Sequence, residues 1–306
     1  MKSHVKGAYD NPVLLLIGTG ATLGLNFPFG KLAVAAGIAP PLWAAFISMG
    51  AGLTLMAVAA ASEPRLALNG RVLRFGLLSG FLSYVMPNLL TFTVIPQIGS
   101  GLASLMFALS PVTTALLSLV MQVRPPNRLG LAGIGLGLLG AMVIVWGKNS
   151  GAGGGFSGWL LLALAVPVFL AIGNVYRTMA WPQGAGPRTL GSLTNLAAVP
   201  FLLVIALALN GGLELAPFAR VPWLLVAQLA SSTMMFAMFF RLQQIGGPTY
   251  LSQIGYVAAA VGLVIGVSLL GESYPAAVWA GVAIIALGIG LSTVSARRPK
   301  QAALND

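Results

Sequence analysis

The polar side chains of this sequence fall at helical spacing inside long apolar runs. Ser100, Ser104, Pro111, Thr114 and Ser118 lie at i, i+4, i+11, i+14 and i+18, one face of a helix. Tyr84, Asn88 and Thr91 follow at i, i+4 and i+7, and Thr249, Gln253 and Tyr256 repeat that spacing. Gln228 and Ser232 are one turn apart, and Asn26, Asn174 and Asn195 add three further amides. Such groups can give and take hydrogen bonds with a neutral or zwitterionic solute without adding charge. The same side chains also join helix to helix in membranes, contributing about 0.6 kcal/mol each, so the sets carry more weight than any member. The candidate binding residues are Asn26, Tyr84, Asn88, Ser104, Pro111, Asn174, Asn195, Gln228, Ser232, Gln253 and Tyr256.

Other chemistry has little raw material. The chain has no cysteine, one histidine (His4) and five acidic residues, so a metal site, a cofactor or a catalytic triad is not expected. Glu63, Glu214 and Glu272 map to loops or span ends. A proton-coupled carrier usually needs an ionisable group inside the membrane, so facilitated movement down a gradient is the expectation. Lys31 and Arg177 map to span ends and are read as interfacial, which disfavours strongly anionic cargo. The run from Met234 to Phe240 has one face toward lipid or neighbouring helices. Its other face could form an adaptable apolar pocket.

The elements that position these residues follow from composition. Of 306 residues, 58% are hydrophobic and 7% charged, against about 25% charged in soluble domains. Lipid is the solvent such a surface requires. The net charge of +11 does not indicate nucleic acid, because Lys and Arg sit in breaks between apolar runs and not on one face. The first run follows a basic tail and is longer than a signal-peptide core, so it is read as a membrane helix. Ten spans are expected, at residues 13–34, 41–61, 72–94, 98–121, 129–147, 157–180, 188–209, 222–243, 248–270 and 275–296. Trp43, Trp159, Trp181 and Trp223 are expected as interfacial anchors. Prolines at 28, 87, 111, 167 and 200 are expected to interrupt spans, with Pro111 the foremost because it shares the polar stripe.

An internal repeat organises the spans. Gln97-Ile98-Gly99 corresponds to Gln244-Ile245-Gly246 at an offset of 147 residues, Asn26 to Asn174 at 148, and Gly140 to Gly288 at 148. Each half holds five spans, so the halves enter the bilayer from opposite sides. An inverted repeat of this kind can rock about a central site. The expected architecture is an all-α integral membrane protein of ten transmembrane helices in a 5+5 inverted repeat, both termini cytoplasmic. It divides into a tail (1–12), a first repeat (13–147), an outer linker (148–156), a second repeat (157–296) and a tail (297–306).

Three segments carry a family resemblance: GLNFPFGKLA (24–33), SLMFALSPVTTALLSLV (104–120) and SLLGESYPAAVWAGVAIIALGIGL (268–291). They resemble the drug/metabolite transporter superfamily, in its ten-helix EamA branch. Segments 97–120 and 244–272 are most similar to the YddG-type amino-acid exporters. The resemblance implies a cavity walled by spans one to four and six to nine in a bacterial inner membrane. It implies export of small metabolites such as amino acids. The alternatives are a nucleoside, sugar derivative or neutral drug as cargo, with or without proton coupling, and a channel-like or receptor-type helix bundle. The sequence offers no nucleophile–base pair for an enzyme. The pattern depends on lipid and a small solute as partners; a monomer and a homodimer through spans five and ten are both compatible with it. The Gly271-Glu272 pair departs from symmetry, since Arg124 stands at the matching place of the first half.

Orientation is testable. With a cytoplasmic N-terminus, 13 of the 16 basic residues lie inside, and only Lys31, Lys148 and Arg220 lie outside. Reporters fused after residue 306 and near Ser3 are expected to read cytoplasmic, and reporters in 148–156 and 211–219 external. An external C-terminus would overturn the ten-span reading.

Overall fold

A computed structural model describes residues 11–62, 69–121, 128–149 and 158–297. Most of the two tails and of the linker, together with the breaks holding Glu63, Arg65 and Arg124, lie outside the described residues. Among the described residues the chain is helical, with no strand. The helices are α1 (Pro12–Ala35), α2 (Pro40–Ser62), α3 (Gly70–Gly80), α4 (Met86–Ile98), α5 (Ser100–Phe107), α6 (Ser110–Val120), α7 (Arg128–Asn149), α8 (Gly158–Met179), α9 (Pro187–Asn210), α10 (Pro222–Ser252), α11 (Ile254–Ser268) and α12 (Ala276–Arg297). Among the described residues, seven uninterrupted or joined helical segments are long and apolar enough to cross a membrane: α1, α2, α3 through α4, α5 through α6, α8, α9 and the first part of α10. Leu131–Ile144, Ile254–Ser268 and Ala276–Gly288 are shorter apolar helices.

The surface is inverted relative to a water-soluble protein. Val204, Val226, Met142 and Leu287 are each more than 60% exposed, whereas Thr19, Ser48, Ser100, Ser104, Thr194, Asn195, Gln228 and Ser232 are wholly buried. Apolar side chains outside and polar ones inside are what a hydrocarbon solvent selects. The chain is therefore a multi-pass membrane protein.

Helix neighbours come in exchangeable pairs. α2 packs on α9 and α7 on α12; α1 packs on α10 and α11, while α8 packs on α4 and α6; α5 packs on α11. Swapping the halves of the sequence exchanges each of these contacts with another of them or with itself.

Five prolines were expected to interrupt spans, and two of them do so. α1, α8 and α9 continue through Pro28, Pro167 and Pro200. Pro87 cannot donate a backbone hydrogen bond, and the turn before it, Phe81–Val85, widens into a π-helix in which the Met86 amide bonds to the Phe81 carbonyl. Pro111 opens α6 after the chain leaves the helix at Ala108 and Leu109. The expected break near 244–247 is absent, since helix continues through Gly246-Gly247 and the turn falls at Gln253. Glycine readily adopts helical angles, so a Gly pair alone does not end a helix. Among the tryptophans, Trp159 and Trp223 are exposed at 40% and 59%. Trp43 is instead a fully buried core residue, stacked on Phe46 at 5.6 Å. Trp181 packs beside Phe75 and Phe240.

Small residues let backbones touch. A Cβ on Gly140 would stand 2.7 Å from the Gly281 carbonyl, one on Gly281 would stand 2.7 Å from the Gly140 carbonyl, and one on Gly288 would stand 2.7 Å from the Gly133 carbonyl. The glycine faces of α7 and α12 are thus used within one chain. Gly140→Val is expected to destabilise the fold by about 1–3 kcal/mol through overpacking. Gly135 has nothing within 4 Å, and Gly135→Val is expected to leave the thermal midpoint in detergent unchanged.

Candidate functional site

A cavity of about 700 Å³, counting its open mouth, lies in the middle of the bundle. Its wall is shared by α1 (Leu23, Asn26), the π-turn and start of α4 (Ser83, Tyr84, Pro87, Asn88), and the break between α5 and α6 (Phe107, Ser110). α8 contributes Asn174 and Arg177, and α10 contributes Met235, Phe236, Phe239 and Ser252. Ile254 and Gly255 close the wall from the start of α11. The helix breaks at 108–109 and 253 meet here: a Cβ on Gly255 would stand 2.2 Å from the Phe107 carbonyl. Only glycine permits that approach.

Four of the eleven candidate residues line the cavity: Asn26, Tyr84, Asn88 and Asn174. Tyr84 sets its ring edge-on to Phe236 at 4.8 Å, and its hydroxyl is buried without a partner. Asn88 is half-buried on the wall. Gln228 and Ser232 stand directly behind Asn26. The Gln228 Nε2 donates to Asn26 Oδ1 and lies 2.5 Å from Ser232 Oγ, and Gln228 Oε1 is left without a partner. These two residues hold the Asn26 amide in place.

The remaining five lie off the cavity wall. Ser104 donates to the carbonyls of Gly101 (2.7 Å) and Ala259 (3.1 Å), fastening α5 to α11. Asn195 donates 2.9 Å to the Gly191 carbonyl within its own helix. Pro111 is buried at the start of α6. Gln253 occupies the turn before α11. The Tyr256 hydroxyl is buried without a partner one turn further on.

One wall residue overturns an expectation. Arg177 is not interfacial: it is 1% exposed and faces the cavity. Its Nε donates 2.9 Å to Gln243 Oε1, its Nη2 donates 2.6 Å to Asn174 Oδ1, and its carbon lies 5.0 Å from the Phe239 ring centre. Nη1 has no partner. Helical spacing carried the signal, since Arg177 lies three residues after Asn174 on the same face. The apolar half of the Met234–Phe240 run also reaches the cavity through Met235, Phe236 and Phe239, while Met234 is 55% exposed.

A second polar cluster, whose residues do not line the cavity, is centred on Glu272. Oε1 accepts from Lys31 Nζ, Ser100 N and Ser100 Oγ, each at 2.7 Å. Oε2 accepts from Gly101 N at 2.9 Å and from the Tyr274 hydroxyl at 2.5 Å. Gly99 turns the chain at φ +88°, which aims the first amides of α5 at the carboxylate. The side chain is 5% exposed, although the sequence places Glu272 in a loop or at a span end. Burial alone would raise its pKa, but Lys31, Tyr274, the Gly101 amide and Ser100 outweigh it and hold the carboxyl at about 2. Burial and the neighbouring carboxylate push the Tyr274 hydroxyl up.

Among the described residues no group of His, Cys, Asp and Glu could hold a metal ion. Residues 11–146 match the model of the EamA-like transporter family. No curated protein matches the chain. A crystal structure of a protein 19% identical to this chain covers 92% of it and 96% of that protein, with a TM-score of 0.66. At that identity the likeness concerns the fold, and it extends beyond the family-matched segment.

The Glu272 cluster has a pH signature. A carboxyl with a depressed folded pKa contributes stability above its unfolded value and loses it as pH falls through the folded one. Wild type is expected to exceed Glu272→Gln in thermal midpoint by a constant margin between about pH 6 and 8. That margin should shrink progressively from about pH 5 toward 2, as read by unfolding in detergent.

Proposed function

We propose that this protein is a membrane carrier that moves a small metabolite through the central cavity by alternating access. The observation that carries the reading is that helices from both parts of the sequence, α1, α4, α8 and α10 among them, line one polar-and-aromatic cavity inside an apolar exterior. The match of residues 11–146 to a transporter family supports the same class. The exchangeable helix pairs support the inverted repeat, and with it two states related by rocking one half against the other. On the basic-residue orientation, the Glu272 cluster lies on the outer side, and the described state is closed outward. The cargo is of amino-acid size with a bulky or aromatic body, and the membrane is a bacterial inner membrane.

In the described state Lys31, Tyr274, the Gly101 amide and Ser100 keep Glu272 charged, which favours facilitated movement over proton coupling.

Counterflow in proteoliposomes tests this reading. Preloaded vesicles are expected to accumulate external label transiently for amino-acid-sized solutes, and absence of counterflow for every solute would refute a carrier. Asn88→Leu is expected to reduce flux several-fold with normal insertion. Thr54→Ala, exposed and bonded only to the Gly50 carbonyl of its own helix, is expected to leave flux unchanged.

A further inference from the structure

We infer that the cavity takes a carboxylate, with Arg177 as the anchor, and that it prefers an aromatic or bulky apolar monocarboxylate over the corresponding zwitterion or amine. The inference rests on the carrier reading only for the cargo's fate; the binding site itself is argued from the residues below.

A guanidinium has five N–H donors in a rigid fork. Gln243 and Asn174 engage Nε and Nη2 of Arg177, and Nη1 is buried with no acceptor. Both engaged partners are neutral amides. Of the two acids among the described residues, Glu214 is exposed in the loop after α9 and Glu272 is committed to Lys31 and α5. Among the described residues the cavity therefore has a buried positive charge with no counter-ion, an arrangement that is costly in a low-dielectric interior unless an anion joins it. Asn174 also donates to Thr114 Oγ1 at 3.4 Å, so its carbonyl oxygen is held toward the arginine and cannot turn to a ligand.

Tyr84 adds a second donor to the same wall, its buried hydroxyl lacking any acceptor. An ionised carboxylate is acceptor-only and has two oxygens, one for the free edge of the guanidinium and one for the phenol. The rest of the wall suits an apolar body: Phe107, Met235, Phe236 and Phe239 are aromatic or adaptable. An ammonium group finds no counter-charge, since no described carboxylate faces the cavity and only neutral amide and hydroxyl oxygens could accept from it. An amino acid keeps its carboxylate contact but must desolvate an ammonium without a counter-charge.

The test varies the head group on one body. Full-length protein in lipid nanodiscs is titrated with 3-phenylpropionate, its amide, phenylalanine and phenylethylamine, with intrinsic tryptophan fluorescence and thermal midpoint as readouts. The carboxylate is expected to bind saturably, with the amide and the amine weaker by about tenfold or more and phenylalanine between them. Arg177→Gln should erase the ranking. Arg177→Lys, which keeps the charge but not the fork, should weaken carboxylate binding while preserving its lead over the amide. If Arg177→Gln does not fold, the wild-type ranking and Arg177→Lys decide. Equal binding of the four probes, binding of none, or a ranking that survives in folded Arg177→Gln would overturn the inference. Saturable carboxylate binding with no counterflow would refute the carrier and leave the anion site standing.

Discussion

A backbone amide or a charge inside hydrocarbon has no water to turn to, and each must find its partner within the protein. This constraint decides where the chain departs from regular helix. Interruptions occur at the π-turn before Pro87, at residues 108–109 and at residue 253, and all three border the central cavity. A fourth departure, at Gly99, is covered by the Glu272 carboxylate, which bonds the first amides of α5. Within the described spans, irregular backbone thus falls where protein or cavity can satisfy it. The apolar exterior of α9 and α10 needs no such provision, because a continuous helix bonds its own backbone.

The charges obey the same constraint with different outcomes. Lys31 and Glu272 neutralise each other, and the carboxylate has two amides and two hydroxyls besides. The cluster joins α1, α5 and the loop before α12, so separating these elements would break the ion pair and the hydrogen bonds around it. Arg177 is the opposite case, a cation held by two amides and an aromatic ring. The Glu272 cluster is electrically closed on itself while the cavity carries unbalanced charge. That asymmetry is set by side chains and departs from the symmetry of the helix arrangement.

Much of the architecture was legible in the sequence because lipid imposes a long, simple signal. The apolar runs from Pro12 to Ala35 and from Pro187 to Asn210 announce their helices through length and composition alone. The amides Asn26 and Asn174 were legible as well, since a polar side chain deep in such a run must face inward. What they bond was not. Asn26 meets Gln228 from 202 residues away and Glu272 meets Lys31 from 241, and no local pattern encodes contacts at that distance. Ser104 and Asn195 share the spacing of wall residues yet spend their bonds on helix contacts, since periodicity defines a face but not what the face meets. Arg177 was misread because position along a span was taken for depth. A long side chain can turn inward from the last turn of a helix as readily as it can reach for the interface.

The glycine contact between α7 and α12 has a consequence for how the protein is made. α7 ends at Asn149 and its partner begins only at Ala276, with α8, α9, α10 and α11 synthesised between them. During that interval the notched face of α7, cut to fit another backbone, has only lipid chains or an insertion factor to lie against. Biogenesis therefore includes a waiting period in which one helix is in place but unmatched, and it ends only when the C-terminal helix arrives. A ribosome that stalls before residue 276 leaves a membrane-inserted chain whose first half cannot complete its packing, a natural substrate for quality-control proteolysis.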